Sequence, residues 1–313
     1  MNAVRKKMVF LLLIGCVLLF ADGKSCAESV TGFRSEVDLI GELIFDNECG
    51  GKDSELLGWN EGENFPSLGI GHFIWYPAGQ EGPFRESFPE LLSFFESKGV
   101  QLPEWFRSLK DRHAPWATRD AFNEDIRNGD LDLLREFLSD TKTMQTEFLV
   151  ERLRRSIPRM LKAVSQDSEG DIRQKLSLIL QTGGGLYPLV DYVNFNGDGV
   201  FPGERYHGQG WGLLQVLEEM KITDPDQDVI GEFVRAAESV VIRRVANSPP
   251  ERNESRWLAG WKSRVRSYLA MQSRSEFRIE HSLRKALLAS DTDGIPTTIL
   301  PALDELSSPS AMT

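Results

Sequence analysis

A single stretch of this chain alternates as a β-strand does, and it is short: residues 67–75, Ser-Leu-Gly-Ile-Gly-His-Phe-Ile-Trp. Around it, apolar residues recur with helical spacing. Within residues 35–48, Val37, Ile40 and Ile44 fall on one stripe with Leu39 and Leu43, and Gly50-Gly51 after Cys49 is a stop signal. Further helical stripes cover 91–95, 131–138, 148–161 and 172–180, with breaks at 99–103, 113–115 and 166–170. Gly183-Gly184-Gly185 opens a second irregular region that runs on through 202–210. Helices are then expected over 212–217, 229–245 and 257–269, and residues 271–313 are expected to add a terminal helix and, from about 290, a loose tail. Many helices with one small β element predict a mainly helical α+β fold rather than a parallel doubly wound sheet. With 313 residues, 41% of them hydrophobic, the chain can bury a large core without help from disulfides or metal.

The amino end has the layout of an export signal. Arg5, Lys6 and Lys7 precede an apolar run over 8–21, and Ser25-Cys26-Ala27 fits a cut before Glu28, so residues 1–27 are expected to be removed. An uncharged run of about 14 residues falls short of the roughly 20 that span a bilayer, and no later segment is apolar enough to do so. Leu13-Ile14-Gly15-Cys16 resembles a lipobox, but the apolar run continues past the cysteine through Val17-Leu18-Leu19-Phe20, which favours a secreted or periplasmic product over a lipoprotein. Processing removes two of the three cysteines, so Cys49 has no intramolecular partner. It also deepens the net charge from −11 to −14, because four basic residues and one acidic one are lost. Such a surface repels nucleic acid and anionic lipid.

The densest polar sequence lies between the first helix and the strand. A carboxylate at the end of an apolar helix meets the negative end of the helix dipole, and nearby Phe45, Trp59 and Trp75 are expected to strip its water; both effects raise a carboxyl pKa. Glu48 is therefore the expected proton donor of a glycoside hydrolase, and Glu61 or Glu63, a short loop away, the ionised partner. Gly69 and Gly71 are expected to bare one strand face to a flat ligand such as a sugar ring.

Asn47-Glu48-Cys49-Gly50, an acidic glycine-rich loop, and Ser67-Leu68-Gly69-Ile70-Gly71-His72 together resemble the signature of the phage-type lysozymes, muramidases that cut the glycan of bacterial peptidoglycan. Glu48 falls where that family has its general acid, and Ser67 where it has a hairpin threonine that helps place water or sugar. Glu61 best matches the hairpin aspartate; the spacing is longer than the family's, and Glu63 and Asp53 are alternatives. Residues 191–199 resemble the family's Phe-Asn-x-Gly stretch, 210–217 the short helix after it, and the segment from Ser255-Arg256-Trp257 to Arg264-Val265-Arg266 its closing Trp and Arg helix. The resemblance implies a two-lobed lysozyme-like domain over 28–270, with the small sheet in its first lobe and a helical insertion at about 76–180. It also implies a substrate of peptidoglycan or a related amino-sugar polymer and a site needing neither cofactor nor metal. Gly69, Gly71, His72, Trp59, Asn194 and Asn196 are the expected sugar contacts. A non-catalytic binder of envelope glycan or protein, keeping the same fold, is the alternative.

Other residues carry weaker signals. Glu204 followed by Gly212-Leu213-Leu214-Gln215 is similar to pieces of the soluble lytic transglycosylases, which makes Glu204 a reserve acid. Cys49 and His72 could form a thiol and its base, but nothing in the sequence pairs them, and a lone Cys is usually a small buried hydrophobe. The four histidines are scattered without metal-ligand spacing.

Overall fold

Helix α1 (Glu36–Cys49) forms where the apolar stripe predicts it, burying Val37, Leu39, Ile40 and Ile44. The structure, a computed structural model, describes residues 36–271 except 83, 110, 225 and 226, together with Leu287. The expected export signal and, Leu287 apart, the segment 272–313 lie outside the described residues.

After α1 come three two-residue strands, β1 (Leu57–Gly58), β2 (Ser67–Leu68) and β3 (Phe73–Ile74), in one antiparallel sheet of order β1-β2-β3. The expected strand over 67–75 is thus a hairpin. Its glycines lie in the turn, where Gly69 has φ +72° and His72 φ +46°. Leu68 pairs with Phe73 across that turn, and Ser67 with Gly58 on the other side.

Helices α2 (Phe88–Ser97), α3 (Glu104–Ser108), α4 (Arg119–Asn128), α5 (Asp132–Asp140), α6 (Lys142–Ala163) and α7 (Gln166–Gln181) follow. The expected break at 166–170 is the first turn of α7, because Ser165 caps it by accepting the Ser168 N–H. Helix α8 (Leu186–Asn196) lies inside the stretch expected to be irregular. It is buried almost all round, from Leu186 to Val193, so its sequence has no polar face to mark a period. Strands β4 (Arg205–Tyr206) and β5 (Gln209–Gly210) pair next, followed by α9 (Leu213–Glu219), α10 (Val229–Asn247) and α11 (Leu258–Ser267), the last flanked by 3-10 turns at Glu254–Trp257 and Tyr268–Met271. The described residues are therefore mainly helical with a small antiparallel sheet, an α+β arrangement.

Helix α6 is the central strut. It packs on α1, α2, α7 and α8 and buries Phe148, Leu149, Leu153 and Ile157. Beneath the sheet, Trp75 gathers Phe88, Trp105, Phe106 and Trp116 at centroid distances of 4.8 to 6.3 Å. These proline- and phenylalanine-rich segments thus close a hydrophobic core. Among the described residues no helix is long and apolar enough to cross a membrane.

Candidate functional site

Helix α1 delivers Glu48 one residue before its end, and the carboxylate is met by three side chains from distant parts of the chain. Its Oε1 lies 2.8 Å from Arg264 Nη2 on α11 and accepts the Asn194 amide of α8 at 3.3 Å. Its Oε2 lies 3.6 Å from His72 Nδ1 in the hairpin turn. None of Phe45, Trp59 and Trp75, the aromatics expected to strip water from Glu48, lines its cavity. Trp59 packs at a tilt against Phe122, Trp75 belongs to the core cluster, and Phe45 lies under the Lys142 ammonium.

Arg264 has a second and deeper partner. Asp191, fully buried on α8, takes the Arg264 Nε at 2.9 Å and Nη2 at 2.7 Å, and the Tyr268 hydroxyl donates to it at 2.6 Å. Burial works against the Arg264 charge, but Asp191 and then Glu48 outweigh it, and the guanidinium pKa is held well above its ordinary value. Burial and the Asp191 charge likewise push the Tyr268 hydroxyl up. Arg264 and Asp191 fall in the two segments singled out for their family resemblance, but no role for either could be read from the sequence.

Glu48 lines a cavity of about 670 Å³ whose other polar walls include Glu63, Asn60, Ser67, His72 and Asn194. Of the rival carboxylates it is Glu63 that shares this space. Its pKa is raised by burial, its Oε2 accepts from Asn60 at 3.1 Å, and its carbonyl takes the Trp59 indole N–H at 2.9 Å. Trp59, expected as a sugar contact, is therefore a buried brace for the loop that carries Glu63. Glu61 is exposed and lines no part of this cavity. Asp53 is taken up by Lys142 at 2.6 Å and Ser139 at 2.7 Å, and the Lys142 hydrogen bond lowers its pKa.

The two hairpin glycines make room for protein, not for ligand. A Cβ on Gly69 would stand 2.3 Å from Gln145 Oε1, and one on Gly71 2.8 Å from the Phe73 ring and 3.2 Å from Asn194 Oδ1. Gly71 still borders the cavity through its backbone, and its carbonyl accepts the Asn194 amide at 3.1 Å.

Cys49 and His72, which the sequence leaves unpaired, are brought together: Sγ is 3.6 Å from Nε2. The thiol is 2% exposed, lies 3.6 Å from the Glu55 carbonyl and 3.8 Å from that of Gly69, and is pushed up to about 12 by burial and the Glu48 charge. Such a thiol stays protonated at neutral pH, so Cys49 is a core residue that helps seat His72.

A second cavity of about 700 Å³ shares Glu63, Gly71, His72, Asn194, Phe195 and Trp261 with the first, so the two form one continuous cleft. Glu204 lines this second cavity and not the first. Burial, then Asp198, raises the Glu204 pKa to about 7, and the carboxyl accepts the Gly199 N–H at 2.5 Å. Gly197 there has φ +80°, a backbone conformation that favours glycine. Asn196 also borders this cavity, but its Oδ1 is engaged by Arg244 at 2.8 Å. Arg244 pairs with buried Glu254 and is flanked by Trp211 and Trp261 at 4.6 and 4.4 Å. Trp257, 43% exposed, stacks on Trp261.

Among the described residues, no group of three or more His, Cys, Asp or Glu side chains is placed to hold a metal ion. No family model matches the chain, no curated protein matches its sequence, and no solved structure matches its fold.

Proposed function

We propose that this chain is an exported glycoside hydrolase of the phage-lysozyme type, acting on peptidoglycan or a related amino-sugar polymer. The observation that carries the reading is the pairing of Glu48, at a helix end, with Glu63 on the walls of one sugar-sized cavity that also holds the Ser67 and Asn194 side chains. Glu48 protonates the glycosidic oxygen and Glu63, in place of Glu61, steers a water at the anomeric carbon.

For that role Glu48 must carry a proton although Arg264 is beside it. Asp191 makes this affordable in charge terms: it remains on Arg264 through two hydrogen bonds, so a proton on Glu48 leaves no guanidinium without a counterion. Asn194 and His72 then fix the direction in which the carboxyl faces. Ser67, 5% exposed on β2, supplies a hydroxyl at the cavity wall for the water or a sugar hydroxyl.

A non-catalytic glycan binder is the second reading, favoured by the 2.8 Å ion pair that occupies Glu48. Reducing-sugar release from purified peptidoglycan by the processed chain separates the two. Release that disappears in Glu48→Gln supports the hydrolase; pull-down on the insoluble glycan without release supports the binder.

A further inference from the structure

Nearly every partly or wholly buried arginine in the described cleft region has a carboxylate. Arg264 has Asp191 and Glu48, Arg244 has Glu254, Arg159 has Asp198 at 2.5 Å, and Arg154 has Glu151 at 2.6 Å. Arg152, on the central strut α6, is the exception. It donates to the neutral Asn194 Oδ1 at 3.0 Å, and no carboxylate among the described residues lies within ion-pair distance of it. Its surroundings are apolar enough to lower its pKa to about 10, with the Phe148 ring 5.9 Å away, yet it still carries its charge at neutral pH.

The acids that feel Arg152 are already committed elsewhere. Asp198 is held by Arg159, Glu90 by Arg85 at 2.8 Å, and Glu204 takes the Gly199 N–H and is half protonated near neutrality. A desolvated guanidinium without a counterion is costly, and its planar fork suits a bidentate carboxylate. Arg152 also lines the 700 Å³ cavity beside Arg85, Asn194 and Glu204.

We propose that Arg152, supported by Arg85 and the Asn194 amide, is a carboxylate-binding subsite, and that the glycan accepted by this cleft carries an acidic substituent next to the bond under attack. The proposal rests on the reading of the cleft as a glycan site. Asn194 provides the link between the two positions, since its Oδ1 accepts from Arg152 while its Nδ2 donates to Glu48. A monoanion fits better than a phosphate: one charge answers Arg152, whereas a dianion leaves an excess beside Asp198 and Glu204. On a processed chain of net charge −14, an unanswered cation in the cleft also gives an acidic polymer a place to dock against the general repulsion.

The test is calorimetric titration of the processed wild-type chain with the disaccharide of N-acetylglucosamine and N-acetylmuramic acid, with its carboxyl methyl ester, and with a glucuronate-containing disaccharide. The free acid is expected to bind about tenfold or more tightly than the ester. The glucuronate sugar shows whether the carboxylate must sit on the muramic lactyl arm or on a uronic acid ring. Arg152→Gln should reduce the acid-to-ester ratio to near one with little change for the ester, and Arg152→Lys should keep part of the preference. Equal binding of acid and ester by the wild type, an unchanged preference in Arg152→Gln, or no binding of any of the sugars overturns the subsite. Should Arg152→Gln fail to fold, the wild-type ratio and the lysine variant decide. An Arg152-dependent preference in a chain that releases no reducing sugar keeps the subsite and rejects the hydrolase.

Discussion

The two ends of the cleft handle buried charge in opposite ways. At one end Glu48 and Asp191 share Arg264, so two carboxylates answer one guanidinium. At the other, Glu204 is half-buried with its pKa raised to about 7 and no ion pair among the described residues, and none of their carboxylates lies within ion-pair distance of Arg152. Pairing gives a buried guanidinium its counterions, whereas desolvation without an ion pair favours the neutral acid. On the reading proposed above, the first site supplies the acid and the second holds the anion, and Asn194 joins them by bonding both Glu48 and Arg152.

The largest effect that could break this comparison is on turnover. Glu48→Gln should lower glycan release by about 10²- to 10⁴-fold, the range for losing a general acid. Glu63→Gln should follow it and Glu61→Gln should remain close to wild type, each read by reducing-sugar release. If Glu204→Gln proves as damaging as Glu48→Gln, the acid chemistry belongs at the other end.

Stability gives the next effect. Arg264→Ala strands Asp191 at 0% exposure and should cost about 3–5 kcal/mol in urea unfolding. Glu48→Gln should cost far less, because Asp191 still answers Arg264.

The unpaired acid predicts a pH dependence of smaller size. The Glu204 pKa is raised from 4.5 to about 7, so the folded chain holds that proton more firmly than the unfolded one does. Its contribution is fully present below the lower value and is lost as pH rises through the upper one, by at most about 3 kcal/mol. Arg152, Arg85 and Asp198 face the group and are unchanged in Glu204→Gln, whose unfolding midpoint should lose this component between those pH values.

Cys49 should show the least. With its thiol pushed up to about 12, the native chain should resist iodoacetamide at pH 8 until urea is added, and Cys49→Ser should keep glycan release within about twofold. Loss of release in Cys49→Ser with Glu48→Gln spared would return the thiol to the site.

Local patterns were legible where a segment has one wet face. Helix α1 and its Gly-Gly stop could be read to within a residue, and so could the start of α10 at Val229. Helix α8 escaped notice because burial on all sides erases the period, although it supplies Asn194 and Asp191. The strand expected at 67–75 misread a turn: alternating Gly69 and Gly71 mark positions where the chain reverses against Gln145 and Phe73. Trp59 carried an ambiguous signal of another kind, since an aromatic beside a polar loop can stack on sugar or fasten the loop, and its indole bond to the Glu63 carbonyl and its Phe122 contact decide between them.

The amino-acid order by itself determined the mainly helical α+β character, the position of the small sheet and the placing of Glu48 at a helix end, because these depend on spacing within one or two turns of chain. Which carboxylate shares a cavity with Glu48, which guanidinium answers it and which arginine lacks a carboxylate partner among the described residues were decided by tertiary packing. Those contacts join residues as far apart as Glu48, Asn194 and Arg264, and whether a charge is answered depends on which side chains packing brings to it.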